Sequence, residues 1–396
     1  MKCKITNKDI VPFMSFGKMP IANGFIDEKN FSNEFFFEME VGFNEEISLF
    51  QLNEHPKPEK MFNENYPFFT GSSEYMKQHF KDFSDFVKKK YLNTNSKIIE
   101  VGSNDGTFLK NFNIEENRII GFEPSKNVAD IALNNKIPTI NKFFNKKNLI
   151  DLKDFQGNTD LICASNVICH IPDLNNLIES IDLLLSKYGT FVFEEPYLGS
   201  MFEKVSYDQI YDEHIYIFSA SAISKIFDKY DFQLVDVLPQ ITHGGSMRYV
   251  IKRKNGTSIS NNVKSIINYE LKNKLDTLQA CLNFKKNCEL SKKNIVKKIN
   301  DLKNSNKSIC GYAATSKSTT ILNYCNIDNK LIDYICDTTK EKIGKFSPGM
   351  HIPVVDMNYF YKNKTDSAYL FAWNHKEEIF KKEKNFKGEW FSHVSL

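Results

Sequence analysis

The chain of 396 residues has no apolar run near the roughly 18 residues needed to cross a bilayer. Strong charge of one sign is missing too: the net charge is +3, and the lysines are scattered rather than clustered. That removes the electrostatic footprint of a nucleic-acid binder. The N-terminus, MKCKITNKDI, lacks the apolar core of a signal peptide. The expectation is a cytoplasmic protein with no membrane or nucleic-acid partner, acting as a monomer on a small molecule. C-x-x-C pairs are absent as well. The eight cysteines (Cys3, Cys163, Cys169, Cys281, Cys288, Cys310, Cys325 and Cys336) are spread singly. In a reducing compartment most of them serve as small apolar core residues. Low-complexity segments and short-period repeats are also lacking. A hydrophobic content of 41% is ample for sizeable cores, and the length suggests two or three domains.

The most informative stretch that is present is KIIEVGSNDGTFLKNF, residues 97–112. Ile98, Ile99 and Val101 form an apolar run that breaks into Gly102, Asn104 and Gly106. A helical pattern with Phe108, Leu109 and Phe112 follows. Strand, tight turn and helix make the opening unit of a nucleotide-binding α/β fold. A dinucleotide turn G-x-G-x-x-G would need glycines at 104 and 107, where Asn104 and Thr107 stand. The S-adenosylmethionine (SAM) pattern E/D-x-G-x-G-x-G fits Glu100, Gly102 and Gly106, with Asn104 at the middle glycine. Asparagine tolerates left-handed backbone, so that exchange is mild. A second strand, 119–122, leads to Glu123, about 20 residues on, where an acid can accept from both ribose hydroxyls.

Strands at 98–101, 119–122, 160–164 and 190–194, with helices near 126–134 and 174–187, alternate as in a parallel sheet covered on both faces. A helical pattern at 69–92 precedes them. Residues 1–70 read as short strands and turns. Strands at 232–239 and 244–254 follow, then one long helix or two across 262–304. A second strand–turn–helix begins at 308–324, with small residues Gly311, Ala313 and Ser316 in the turn. Further strands read at 331–337 and 368–374. The domains expected are 1–70, 71–255 and 256–396.

Four constellations can carry chemistry. Tyr211, Asp212, Glu213 and His214 lie beyond a strand end, where ligands bind in parallel sheets, and Tyr, Glu and His are proton-transfer residue types. Asn166 and His170 border the same edge. For His170 the plainer reading is a helix cap, with Pro172-Asp173 starting the next helix. His243, a Gly-Gly pair, Ser246 and Arg248 offer close backbone approach and a guanidinium fork for phosphate. Thr315, Ser316 and Lys317 at a helix start favour an anion such as a pyrophosphate.

Taken together the chain resembles the SAM-dependent sugar C-methyltransferases that act on nucleotide-linked keto-deoxysugars. The matching segments are EVGSNDGTFL, GFEPSKNVAD, NVICHIPDL, EEPYL, YDQIYDEHIYIFS, HGGSMR, GYAATSKSTTILNY, SPGMHIPV and FAWNHKEEI, in order along nearly the whole chain. The resemblance implies an α/β protein with a central class I SAM-methyltransferase, Rossmann-like domain. A small β-rich N-terminal zinc-binding domain would precede it, and a C-terminal Rossmann-like domain holding the nucleotide sugar would follow. It implies Tyr211 and His214 as the catalytic pair, with Glu213 kept and Asp212 in place of the motif's first histidine. PFMSFGKMPIANGFI, 12–26, resembles the stretch after the family's first C-x-x-C. Of the four zinc cysteines only Cys3 remains, with Thr6, Asn44 and Ile47 at the other positions. One thiolate cannot make a four-ligand structural zinc site, so no zinc is expected. Apolar packing through Phe35, Phe36, Phe37 and Phe50 would hold the domain instead.

The expected reaction is C-methylation next to a ketone. His214 removes the α-proton, Tyr211 orients it or bonds the enolate, and Glu213 fixes the histidine tautomer. SAM would lie on Glu100, Gly102, Asn104, Gly106, Glu123 and Asn166. The substrate would meet His243, Ser246, Arg248, Thr315, Ser316 and Lys317. Two rival readings stand beside this one: an O- or N-methyltransferase on a sugar or phosphate, and a non-catalytic binding protein that keeps the fold.

Overall fold

A computed structural model describes residues 1–254 and 256–396. The expected domain boundary at residue 255 therefore lies outside the described residues. Among those described, no helix is long and apolar enough to cross a membrane.

The N-terminal part is an antiparallel meander of β1 (Pro12–Pro20), β2 (Phe36–Asn44) and β3 (Leu49–Leu52). Its core is aromatic and thioether-rich: Phe13, Met14, Phe16, Met39 and Phe50 are buried. Phe37 is buried with them, but Phe35 and Phe36 stand exposed and do not hold the core as expected. Phe36 falls on the outer face of β2, which at this end of the strand turns Phe36 and Glu38 to water while Phe37 and Met39 point inward.

The four positions of the implied zinc site do come together, but without metal ligands at three of them. The Thr6 N–H approaches Cys3 Sγ at 3.5 Å, Asn44 Nδ2 donates to Thr6 Oγ1 at 3.1 Å, and the Ile47 N–H donates to Asn44 Oδ1 at 3.3 Å. Cys3, Asn44 and Ile47 are buried. A hydroxyl, an amide and an alkyl group beside one thiol do not fit a tetrahedral zinc, which takes thiolate, imidazole or carboxylate. Hydrogen bonds close the loop at the place a metal would.

A one-turn helix, α1 (Pro58–Met61), and a longer one, α2 (Glu74–Tyr91), lead into the central part. Ser73 caps α2 by accepting from the Met76 N–H, and Phe80, Phe83 and Val87 bury one face of it. Then β4 (Lys97–Val101), β5 (Arg118–Phe122), α3 (Lys126–Asn134), β6 (Thr139–Ile140), β7 (Thr159–Ser165), α4 (Leu174–Leu184) and β8 (Leu185–Pro196) alternate as anticipated. Next come α5 (Leu198–Lys204), the two-residue β9 (Tyr216–Ile217), α6 (Ala220–Asp228), β10 (Phe232–Gln240) and β11 (Ser246–Arg253).

The central sheet has the order β10-β11-β8-β7-β4-β5-β6. The run from β8 to β6 is parallel, and β11 enters antiparallel between β8 and β10. The strand order reverses beside β4, so a crevice opens at the carboxyl ends of β4, β5 and β7. The short β9 does not join this sheet. It pairs with β3 and completes the N-terminal one, which the sequence alone did not suggest.

The helix expected after the glycine turn is only a 3-10 turn at Leu109–Asn111. Asn111 Nδ2 donates to the Thr107 and Phe108 carbonyls, and Asp105 Oδ1 takes the Thr107 hydroxyl. Such local side-chain bonds compete with the helical ladder.

Two helices, α7 (Asn261–Lys272) and α8 (Leu278–Asn304), bridge to the last part. That part holds β12 (Ile309–Tyr312), α9 (Ser316–Cys325), β13 (Tyr334–Cys336), β14 (Val354–Val355), α10 (Met357–Lys362), β15 (Ser367–Leu370), α11 (Lys376–Lys382) and β16 (Glu389–Phe391). Its sheet, β14-β13-β12-β15-β16, is parallel throughout. All eight cysteines are buried and unpaired.

Candidate active site

A cavity of about 1140 Å³ opens at the carboxyl ends of β4, β5 and β7 and is walled by all three parts of the chain. A single small-molecule site measures roughly 300–1,000 Å³, so this one has room for a cofactor and an acceptor together.

One side of the cavity is built by the turn after β4. Gly102 (φ 66°), Asn104 (φ 48°) and Gly106 (φ 79°) all take left-handed backbone, and Asn104 does what a glycine would do there. A Cβ on Gly102 would meet Val167 Cγ2 at 2.3 Å, so the turn can be no bulkier. Glu123, at the end of β5, accepts from the Asn104 N–H at 3.1 Å and the Ser125 N–H at 2.7 Å. Its carboxylate thus fixes the turn and still keeps lone pairs for a ligand.

Glu100 and Asn166 also line the cavity, and Glu100 Oε2 and Asn166 Oδ1 are buried without a partner. Burial, with Asp105 and Glu123 nearby, pushes the Glu100 carboxyl well above its usual range. Two orphaned acceptors beside a glycine turn fit the ammonium and hydroxyl donors of a SAM molecule. Gly106 does not face the cavity. It packs on Ile137 and serves the turn only.

Deeper in, the loop after α5 brings Tyr211, Glu213 and His214 to the cavity wall. Tyr211 Oη lies 2.8 Å from His214 Nε2, and His214 Nδ1 lies 2.7 Å from the Gln209 carbonyl. A carbonyl only accepts, so Nδ1 carries the proton and Nε2 is the free base. Gln209, not Glu213, therefore sets the tautomer. The Glu213 carboxylate instead accepts from Asn23 Nδ2 at 2.8 Å and faces the Tyr66 hydroxyl. Sequence reading could not find this carbonyl, because any residue type supplies one.

Burial, and then His170, hold His214 well below its usual pKa, so it is neutral and ready to accept. The His170 ring stacks on His214 with centroids 5.4 Å apart and a 20° tilt, and on Phe62 at 5.6 Å. The helix cap is Asp173, whose Oδ1 takes the Asn176 N–H. His170 is thus a cavity residue, pushed down to about 3 by burial, with Nε2 unpartnered. Tyr66 and Asn23 were likewise missed, being far away in sequence.

The wall facing this pair comes from the last part of the chain. Thr315, Ser316 and Lys317 line it at the start of α9, as does the segment 338–342. Lys317 Nζ lies 3.3 Å from Asn374 Oδ1 and 3.4 Å from the His243 carbonyl. Burial pushes its ammonium down to about 8, with Asp208 opposing that shift. Asp337 is closed off, its two oxygens taken by the Ala314 and Thr339 N–H groups.

The HGG segment differs from its expectation. His243 lines the cavity, but Ser246 and Arg248 do not. Arg248 is buried in a fork on Glu194 Oε2, at 2.9 Å from Nη2, with its guanidinium over the Phe83 ring at 3.9 Å. Thr242 and His79 hold the other Glu194 oxygen. Ser246 Oγ donates to the Thr242 carbonyl. The register of β11 against β8 sets Arg248 opposite Glu194, so the pair forms within the sheet and the fork is unavailable to phosphate. Gly244 allows close approach not to a ligand but to Trp373, whose ring would stand 2.1 Å from an added Cβ.

Three family models match in succession. Residues 3–62 match "Putative zinc binding domain", 73–237 "Methyltransferase domain" and 241–394 "C-methyltransferase C-terminal domain". The C-methyltransferase NovU of Streptomyces niveus is 25% identical over 389 residues, covering 97% of this chain and 92% of its own. Among solved structures, a Pyrococcus horikoshii OT3 protein covers 51% of this chain and 100% of its own, at 13% identity and a TM-score of 0.39. A SAM-dependent methyltransferase of Thermotoga maritima covers 46% of this chain and 92% of its own, at 18% identity and a TM-score of 0.35.

Proposed function

Because the chain belongs to the three-part family of SAM-dependent C-methyltransferases, we propose that it methylates the carbon next to the ketone of a nucleotide-linked deoxysugar. The observation that carries this reading is the Tyr211–His214 pair, neutral, buried and facing the same cavity as Glu100 and Glu123. A proton on carbon is weakly acidic. Its removal needs a base and a donor for the enolate oxygen in one dry place. His214 Nε2 takes the proton. Tyr211, which donates to Nε2 in the free protein, turns its hydroxyl to the enolate oxygen. The Gln209 carbonyl holds the developing imidazolium at Nδ1.

Glu100, Gly102, Asn104, Glu123 and Asn166 hold SAM, which when bound supplies an electrophilic methyl group. Thr315, Ser316, Lys317 and His243 hold the acceptor. A diphosphate near Lys317 would favour its charged form, which burial otherwise disfavours. The parts serving the reaction are residues 1–70, 71–255 and 256–396, and the first works without zinc.

His214→Asn tests the assignment. General-base contributions run to about 10²–10⁴-fold, so turnover should fall by that order with SAM affinity nearly intact. In heavy water the wild type should exchange the α-proton of a keto-deoxysugar nucleotide, and the variant should not. Near-normal turnover in the variant would remove His214 from the mechanism.

A further inference from the structure

The segment that carries His214 is bonded to the N-terminal part of the chain almost residue by residue. The Ala22 N–H donates to Asp212 Oδ1 at 3.0 Å, and Asn23 Nδ2 donates to Glu213 Oε1 at 2.8 Å. The Leu52 N–H donates to the Ile215 carbonyl at 2.8 Å. Tyr216 and Ile217 then form β9, paired with Gln51 and Phe50 at the edge of β3. Of the residues from Asp212 to Ile217, only His214 is left free of this grip, and its ring points to Tyr211 and Gln209 instead.

The opposite side is held by α9. Thr319 Oγ1 donates to the Ala22 carbonyl and Thr320 Oγ1 to the Ile210 carbonyl, both at 2.8 Å. The turn Ile21–Gly24, closed by the Gly24 N–H on the Ile21 carbonyl, is thus wedged between the catalytic loop and the substrate wall. The hydrogen-bonded clasp at Cys3, Thr6 and Asn44 sits behind the same edge. Gln51, which pairs with Tyr216, also holds the backbone of Lys2 and Lys4.

We propose that the N-terminal part is the mount of the catalytic segment, and that Asn23 is its positioning residue. Asn23 lines the cavity yet does not touch the reacting pair. It holds Glu213, the neighbour of His214, through an amide hydrogen bond, and so fixes where the His214 ring sits relative to the acceptor. This rests on the reading of His214 and Tyr211 as the reacting pair.

The test is Asn23→Ala in the full chain. Hydrogen exchange is read across the catalytic loop, and turnover is read with SAM and a nucleoside-diphosphate keto-deoxysugar. Asn23 is half-buried in a turn closed by backbone, so the melting temperature should hold. Exchange at the amides of 209–215 should quicken while the rest of the chain stays unchanged. The kcat should fall roughly ten- to hundredfold, the range for losing a hydrogen bond to a charged group, with the KM for SAM within about twofold. Unchanged exchange in the loop would overturn the proposal, and so would exchange raised evenly over the whole chain. If the wild type fails to turn over the keto-sugar, the proposed reaction falls, and the exchange result still decides the role of Asn23.

Discussion

Asp212→Asn should make folding less sensitive to pH, and the structure says by how much. Asp212 is buried beside Glu213, with Oδ1 on the Ala22 N–H and Oδ2 unpartnered. Burial first, and the Glu213 charge second, push its carboxyl from 3.8 up to about 8. The unfolded chain releases this proton at the ordinary value, whereas the folded chain keeps it into the alkaline range. Between the two values the folded state binds more protons, so stability falls as pH rises. It is fully present below the ordinary value and lost as pH climbs through about 8. One group contributes up to about 1.4 kcal/mol per pH unit in that window.

Asparagine keeps the acceptor for Ala22 and has nothing to ionise. From about pH 6 to about pH 8 the variant should therefore gain on the wild type by up to roughly 3 kcal/mol. Chemical denaturation of both proteins across that range reads the difference directly. Parallel curves would show that Asp212 is already ionised at neutral pH, and that a charge is tolerated where the structure buries it.

Glu123→Ala removes the carboxylate that holds the Asn104 N–H and, in the proposed complex, the ribose. Each charge-assisted bond is worth roughly 1.5–3 kcal/mol, so calorimetry should show SAM affinity falling at least tenfold, and unchanged affinity would move the ribose contact elsewhere. Metal analysis of protein purified without a metal-binding tag should find no stoichiometric zinc, since the clasp at Cys3, Thr6, Asn44 and Ile47 offers one thiol. Stoichiometric zinc, with unfolding on chelation, would place the ligands elsewhere.

The local signals were legible in the sequence. Gly102, Asn104 and Glu123 announced the tight turn after β4 and the acid that holds it, because strand, turn and acid lie within one stretch and obey fixed spacing. The adjacency of Tyr211 and His214 was legible for the same reason. What stayed hidden was non-local. Asn23 meets Glu213 across 190 positions, and no pattern in either segment names the other. Arg248 looked like a phosphate fork until the β11 register set Glu194 opposite it. The Gln209 carbonyl is a backbone group and leaves no mark on residue type. The helix after the glycine turn failed for a local reason that propensity hides, since Asp105 Oδ1 accepts from the Thr107 N–H and Asn111 takes the Thr107 and Phe108 carbonyls that a helix would use.

The central claim is methyl transfer to carbon after loss of an α-proton. The most direct measurement supplies SAM with a deuterated methyl group and a nucleoside-diphosphate keto-deoxysugar, then locates the label by mass spectrometry and NMR. The expected product carries a CD₃ group on the carbon next to the ketone, with one α-hydrogen gone. A label on oxygen or nitrogen, with every α-hydrogen retained, would contradict it.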